Sequence, residues 1–231
     1  MSNKAMTFEQ VWERFNEALK VAIDDVKTGK DIRVRISNSN SKMGAVASVS
    51  TLPLITCPSC CINTCGKKCY AKKLALLRPS VLRSYAINTA MALCNPMEYW
   101  NQVSKAAGAF RYFRFHVSGD IIDDVYFSMM IGVAQENPNT QFLCFTKRYS
   151  IVNKYIEKHG ALPSNLHILF SGWQGLKPIN PYNLPETNVF TCEDDFNENW
   201  KVCGGNCFNC ACRGVGCWQA QAGDTIAFKM H

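Results

Sequence analysis

A chain of 231 residues that is 47% hydrophobic and 19% charged can bury a sizeable core, which excludes a disordered or low-complexity chain. Its formal net charge of +7 points only weakly to anionic partners, because a four-thiolate site holding a divalent ion or a 2+ cluster carries roughly −2 and two such sites would leave about +3. Thirteen cysteines at tight spacings, a polar start and no apolar run long enough for a bilayer give the expectation of a cytoplasmic, reducing compartment with no membrane contact, where clustered cysteines more often mean metal than disulfides.

In chain order, Thr7 and Gln10 make a capping-box pattern. Phe8, Val11, Trp12, Phe15, Leu19, Ala22, Ile23 and Val26 then recur at helical spacing, which predicts an amphipathic helix packed on the outside of the fold. Residues 28–43 are polar and read as a connector with a short strand at 32–36. The chain thus divides into a helix and connector, 1–43, and a cysteine-rich α/β domain, 44–231.

A strand over 45–54 runs into Cys57, and helices are expected over 67–77, 80–93 and 96–107. The pattern then turns regular. Strands over 110–117, 141–145, 166–170 and 188–191 end at Ser118-Gly119-Asp120, Thr146-Lys147, Ser171-Gly172 and Cys192. Helices over 123–135 and 150–158, the latter capped by Ser150, fill the first two gaps. Strand ends roughly 20–30 residues apart are the repeat of βα units. The fold class expected is α/β, a partial or complete parallel (β/α) barrel with a cysteine-rich C-terminal loop over the strand ends. In such folds the site lies at the carboxyl ends of the strands.

Five cysteines fall within 57–69: Cys57, Cys60, Cys61, Cys65 and Cys69. Thiolates are soft ligands that select zinc, copper(I) or iron–sulfur clusters, and short spacers let one loop wrap a compact site. Cys57, Cys61, Cys65 and Cys69 can donate four ligands, or Cys61, Cys65 and Cys69 three, spaced C-x3-C-x3-C. Lys67, Lys68, Lys72 and Lys73 would offset the charge of a thiolate-held cluster. In the second group Cys192, Cys207, Cys210 and Cys217 are the favoured ligands, with Cys203 and Cys212 as substitutes among glycines that let a loop fold round a metal. The cofactor expected is an iron–sulfur cluster, of 4Fe–4S type, one or two per chain, with zinc as the alternative because both accept four thiolates. Cys94 and Cys144 lie in apolar segments and read as core residues.

His116, Ser118, Asp120 and Lys147 are candidates for substrate binding at strand ends. His116 and Ser118 are two apart on a strand and are expected to share a face, with Arg114 on that face to bind an anion or pair with Asp120. The competing reading is a hydrogen-bonded turn in which Asp120 caps the next helix. His159 and His167 read as structural, and His231 stands at the chain end, where it could reach a site.

The three-cysteine run is similar to that of radical S-adenosylmethionine enzymes, with one more residue before Cys69 and with Tyr70 after it. Ser118-Gly119-Asp120 stands where those enzymes carry a Gly-Gly-Glu segment. That resemblance implies an open iron at the first centre and S-adenosylmethionine as cosubstrate.

The loop Cys57-Pro…Cys65…Cys69-Tyr70-Ala71, the strands FRFHVSGD and FLCFTK, and the late cysteines ending in Cys217-Trp218 together resemble the phage gene product 88-like family over residues 44–231. This resemblance implies a cysteine-rich α/β protein of viral origin, in the host cytoplasm if phage-encoded. It marks Cys57, Cys65, Cys69, Cys210 and Cys217 as ligand candidates. Two functions follow as expectations. One is an iron–sulfur protein acting as a radical S-adenosylmethionine-like redox enzyme on a small-molecule or macromolecular substrate. The other is a non-catalytic, metal-stabilised protein binding a host protein or nucleic acid, with Lys67, Lys68, Lys72, Lys73 and Arg148 as phosphate contacts.

Overall fold

The structure, a computed structural model, describes residues 6–192 and 196–230; His231 lies outside them. Helix α1 (Phe8–Lys27) starts at the expected capping box, with the Thr7 hydroxyl accepting from Gln10 N and Gln10 Oε1 from Thr7 N. Its apolar stripe, Val11, Phe15, Leu19, Ala22 and Val26, is buried in the same cluster as the central strands, so α1 is part of the main core. Arg83 on α4 (Pro79–Cys94) ties its end down, reaching Asp25 at 2.6 Å and Asp31 at 3.0 Å.

The described residues form one eight-stranded sheet: β1 (Ile36–Ser37), β2 (Ala47–Val49), β3 (Tyr112–Phe115), β4 (Gln141–Thr146), β5 (Leu166–Ser171), β6 (Glu186–Phe190), β7 (Lys201–Val202) and β8 (Thr225–Lys229). Strand order is β1-β2-β3-β4-β5-β6-β8-β7, and all neighbours are parallel except β1 with β2. The fold is thus mixed α/β on a mostly parallel sheet, with strands β2 to β6 laid down in chain order. Between them run α2 (Cys60–Asn63), α3 (Tyr70–Leu77), α4, α5 (Pro96–Ala107), α6 (Asp124–Glu136) and α7 (Tyr149–His159).

The period of two along each strand divides the core in two. Phe113, Phe115, Phe142, Cys144, Ile168 and Phe170 point to the helices and join the main cluster. Leu143, Leu169 and Ile226, with Tyr112, Phe145 and Phe228 beside them, point the other way, into a small cluster completed by Met43, Val46, Ala211 and Trp218. The helices therefore cover one face and the C-terminal cysteine-rich segment covers part of the other. Among the described residues no helix is long and apolar enough to cross a membrane.

Several local expectations change. The predicted strand over 45–54 shortens to β2, because Thr51 and Thr56 leave the ladder to bind each other and the end of β3. Helix α7 begins at Tyr149, so Ser150 lies inside it and is not its cap. Cys94, expected in the core, is exposed as the last residue of α4, while Cys144 is buried. The C-terminal region is no plain loop: it contains β7, α8 (Cys207–Arg213), a 3-10 turn over Gly216–Trp218 and β8.

Candidate metal centres

The loop after β2 is pinned to the ends of its neighbours before its cysteines begin. Thr51 N donates to Ser118 O at 3.0 Å, Asp120 N donates to the Thr56 hydroxyl at 3.2 Å, and Arg148 Nη2 donates to Thr56 O at 3.1 Å. Gly119 lets these segments meet: its φ is +80°, and a Cβ there would lie 2.0 Å from Thr51 Oγ1. Cys57 follows directly, at the carboxyl edge of the sheet.

The Cys61 thiol faces those of Cys57 and Cys65 in hydrogen-bonding interactions, and Cys69 lies within electrostatic reach of Cys57 and Cys65. Cys60 and Cys61 both lie within electrostatic reach of Tyr149. Cys69 caps α3, its Sγ accepting from Lys72 N at 3.4 Å and from Ala71 N. Hydrogen bonds from Cys61 and Thr64, with Lys147 nearby, pull the Cys65 thiol below its ordinary range, and burial pushes Cys69 up. Lys72 Nζ does not face solvent freely; it donates to Gly66 O at 2.7 Å and Lys67 O at 3.2 Å, closing the 3-10 turn over Cys65–Lys68.

The second group gathers around α8. Cys203 directly follows β7, its N donating to Ala227 O at 2.9 Å. Asn206 caps α8, and Phe208 N donates to Met43 O at 2.9 Å, anchoring the helix to the segment before β2. Trp218 Nε1 donates to Cys207 O at 3.0 Å and brings Cys217 over the helix. Cys203, Cys207 and Cys210 all act electrostatically on Cys217, and burial pushes its thiol up to about 12. Gly205 N donates to Cys203 Sγ at 3.4 Å and Gly204 N to Cys210. A Cβ on Gly204 would lie 3.1 Å from Cys210 Sγ, so the backbone wraps that sulfur closely.

The four cysteines brought together here are Cys203, Cys207, Cys210 and Cys217. Cys192, favoured from sequence, is exposed past β6, and its sulfur accepts from Thr191 Oγ1 at 3.9 Å. Cys212, on α8, is also exposed. Cys203, weighed from sequence only as a substitute, thus stands where Cys192 was expected, and no sequence pattern marks the two-residue strand before it.

The substrate candidates separate. His116 and Ser118 do not share an open face. Both are 3% exposed, because His116 leaves the strand at φ +60° and its ring swings to the helix side. There Nε2 meets Tyr126 OH at 2.9 Å, and Tyr126 OH meets Tyr99 OH at 3.1 Å. Burial, with Arg114 adding to it, lowers His116 to about 3 and keeps it neutral. Ser118 Oγ donates to Thr51 O at 3.0 Å. Asp120 caps no helix; it accepts from Thr146 Oγ1 at 2.6 Å, Lys147 N at 2.9 Å and Ile121 N at 2.8 Å, while Asp123 caps α6. Burial raises the Asp120 carboxyl despite these donors. Lys147 Nζ reaches Ser171 Oγ at 2.7 Å and acts on Cys65, so of the four it lies toward the first cysteine group. His167 bonds Gln141 Oε1 at 2.9 Å, and His159 stacks on Tyr155.

Tyr70 links the two cysteine groups, and Arg114 faces the second. Tyr70 lies within electrostatic reach of Cys57, Cys69 and Cys207, and its hydroxyl donates to Val117 O. Arg114, on β3, points away from Asp120 to the cysteine face, with Nη1 3.9 Å from Cys207 Sγ and its guanidinium 4.5 Å from the centre of the Phe145 ring.

Among the described residues no set of three or more His, Cys, Asp or Glu side chains is closed to the spacing of a bound ion. The donor chemistry fits a thiolate-held metal nonetheless. Each quartet offers four sulfurs, and backbone N–H groups of Ala71, Lys72, Gly204 and Gly205 are aimed at sulfur, an arrangement that stabilises thiolate charge.

No curated protein and no solved structure matches the chain. A family model described as Gene product 88 matches residues 14–191, a span that takes in most of α1 and the first cysteine quartet and ends before the second. The expected extent, 44–231, is thus shifted toward the N-terminus at both ends. By that match, over more than half its length, the chain belongs to the Gene product 88 family.

Proposed function

We propose that this protein is an iron–sulfur protein with two thiolate-held centres, one at Cys57, Cys61, Cys65 and Cys69 and one at Cys203, Cys207, Cys210 and Cys217. The observation that carries the reading is the gathering of two separate cysteine quartets, one in the loop after β2 and one around α8 on the sheet face opposite the helices, each with amide N–H groups directed at its sulfurs. A 4Fe–4S cluster supplies one-electron chemistry when held there. The chain's own residues would hold it, shield it and set its electrostatics. Thr51, Thr56 and Asp120 fix the first loop, and Lys147 puts positive charge beside Cys65. The finer reading is a redox enzyme whose first centre uses S-adenosylmethionine. It draws support from the C-x3-C-x3-C run at the end of the first parallel strand.

The binding-module reading has less behind it. Of its phosphate contacts, Lys72 caps a turn, Lys68 Nζ lies 3.3 Å from Met230 Sδ, and Arg148 donates to Ile121 O and Thr56 O. The deciding experiment is iron, sulfide and visible absorption analysis of protein purified without oxygen. About four to eight irons with matching sulfide and a broad band near 400 nm are expected. Colourless protein carrying zinc would overturn the iron–sulfur reading. Cys203→Ser should then lose about half the iron and Cys192→Ser none. The reverse result would move the fourth ligand to Cys192.

A further inference from the structure

An arginine side chain is a cation that offers five donors in a planar fork, and Arg114 places one on β3. On the cysteine face of β3 it lies over the Phe145 ring, and its Nε is buried with no hydrogen-bond partner. Among the described residues it pairs with no carboxylate. Asp25, Asp31 and Asp224 hold Lys30, Arg35, Arg83 and Lys201, and Asp120 is taken up by Thr146, Ile121 and Lys147. A half-buried cation with no counter-charge among the described residues and a fully buried Nε is costly, so its partner is sought among its neighbours. Those neighbours, among the described residues, are the Cys207 sulfur at 3.9 Å and, within electrostatic reach, Cys217, Cys144, Tyr70 and His116, none of them a carboxylate. Protonated thiols are neutral and cannot balance it. Four thiolates on a divalent ion or a 2+ cluster carry roughly −2 and can.

We infer that Arg114 is the counter-charge of the second centre, donating to the Cys207 sulfur and positioning that ligand, with Nε left to donate to an acceptor that the bound centre brings. The inference rests on the two-centre reading above. It makes Arg114 a positioning residue with two measurable effects. It tightens metal binding at Cys203, Cys207, Cys210 and Cys217. It also favours the more negative, reduced form of a cluster there and so raises its potential.

The test uses the full chain, stripped of metal and titrated with Co2+, whose sulfur-to-cobalt absorption reports each site. Arg114→Gln is expected to weaken one of the two sites by roughly 10–100-fold and leave the other unchanged, a loss of the size seen when an outer-shell partner is removed. Arg114→Lys keeps the charge without the fork and should fall between, and it carries the test if the Gln variant does not fold. Arg111→Gln is the control, since Arg111 is exposed on the same segment over Tyr112 and should change neither site. In iron-loaded protein, the reduction equilibrium of one centre should shift against reduction in Arg114→Gln by tenfold or more, about 59 mV for a one-electron couple. Equal Co2+ affinities in parent and Arg114→Gln would overturn the role of Arg114 and leave the two centres standing. A parent chain with a single Co2+ site, lost in Cys65→Ser and kept in Cys203→Ser, would remove the second centre and the inference with it.

Discussion

His116 shows how a single backbone angle redirects chemistry. On an extended strand it would share a face with Arg114. At φ +60°, a region uncommon outside glycine though less so for Asn, Asp and His, it instead enters the helix-side core beside Tyr126, with Cys144 Sγ 3.8 Å from Nδ1. No sequence pattern announces a left-handed histidine, which is why the expected His116–Ser118 site was legible as residues and not as geometry. The buried ring has a consequence for pH. Its folded value of about 3 lies below the unfolded value of about 6.5, so between these the unfolded chain binds a proton that the folded chain refuses. Stability from His116 is complete above about pH 6.5 and falls as pH drops toward 3, with a slope of up to about 1.4 kcal/mol per pH unit. Asp120 acts with the opposite sign, since its raised carboxyl takes up a proton in the folded state first. The comparison with His116→Asn, which tolerates the same backbone angle, isolates the histidine. Urea midpoints should fall more steeply in the parent than in the variant as pH is lowered from about 7.5 to about 4.5. Parallel profiles would show that the ring is not held neutral.

Elements with strong periodicity were readable because burial alone dictates them. The stripe from Val11 to Val26, the Pro96 start of α5 and the aromatic runs of β3 and β4 each need only one apolar face, and all stand where the pattern puts them. The C-terminal elements were not readable. Strand β7 has two residues, α8 is seven residues long with three cysteines, and Thr225-Ile226-Ala227-Phe228-Lys229 is a short alternating run. Their placement depends on contacts with Lys42, Met43 and Ala227, far away in sequence or visible only once the sheet is assembled. Helix α1 covers the fold with its apolar stripe turned inward, and Phe15 is fully buried in the main cluster. Phe15→Ala should therefore cost about 3–5 kcal/mol in chemical denaturation, as for a central aromatic. A loss below about 1 kcal/mol would return α1 to the role of a peripheral cover.

At the scale of the whole molecule, the sheet separates two cores of unequal strength. The helix-side core draws on α1, α4, α5, α6 and α7 and needs nothing but apolar contact. The opposite cluster, Met43, Val46, Leu143, Leu169, Ala211, Trp218 and Ile226, is small and is bordered by Cys203, Cys207, Cys210 and Cys217. A cluster of that size supplies little stability by burial alone, and the segment covering it has short elements with few ladder bonds. Metal at the second quartet would act there as a staple, because binding free energy at thiolates formed only in the folded state is folding free energy. Removing metal with a chelator under reducing conditions should therefore loosen the molecule on one face only. Amide hydrogen exchange is expected to rise across 201–229 while 8–27 and 79–107 keep their protection, and the Trp218 fluorescence should shift toward that of a solvated indole. Exchange that rises equally on both faces would mean that the sheet transmits the loss, and that the two cores fold as a single cooperative unit.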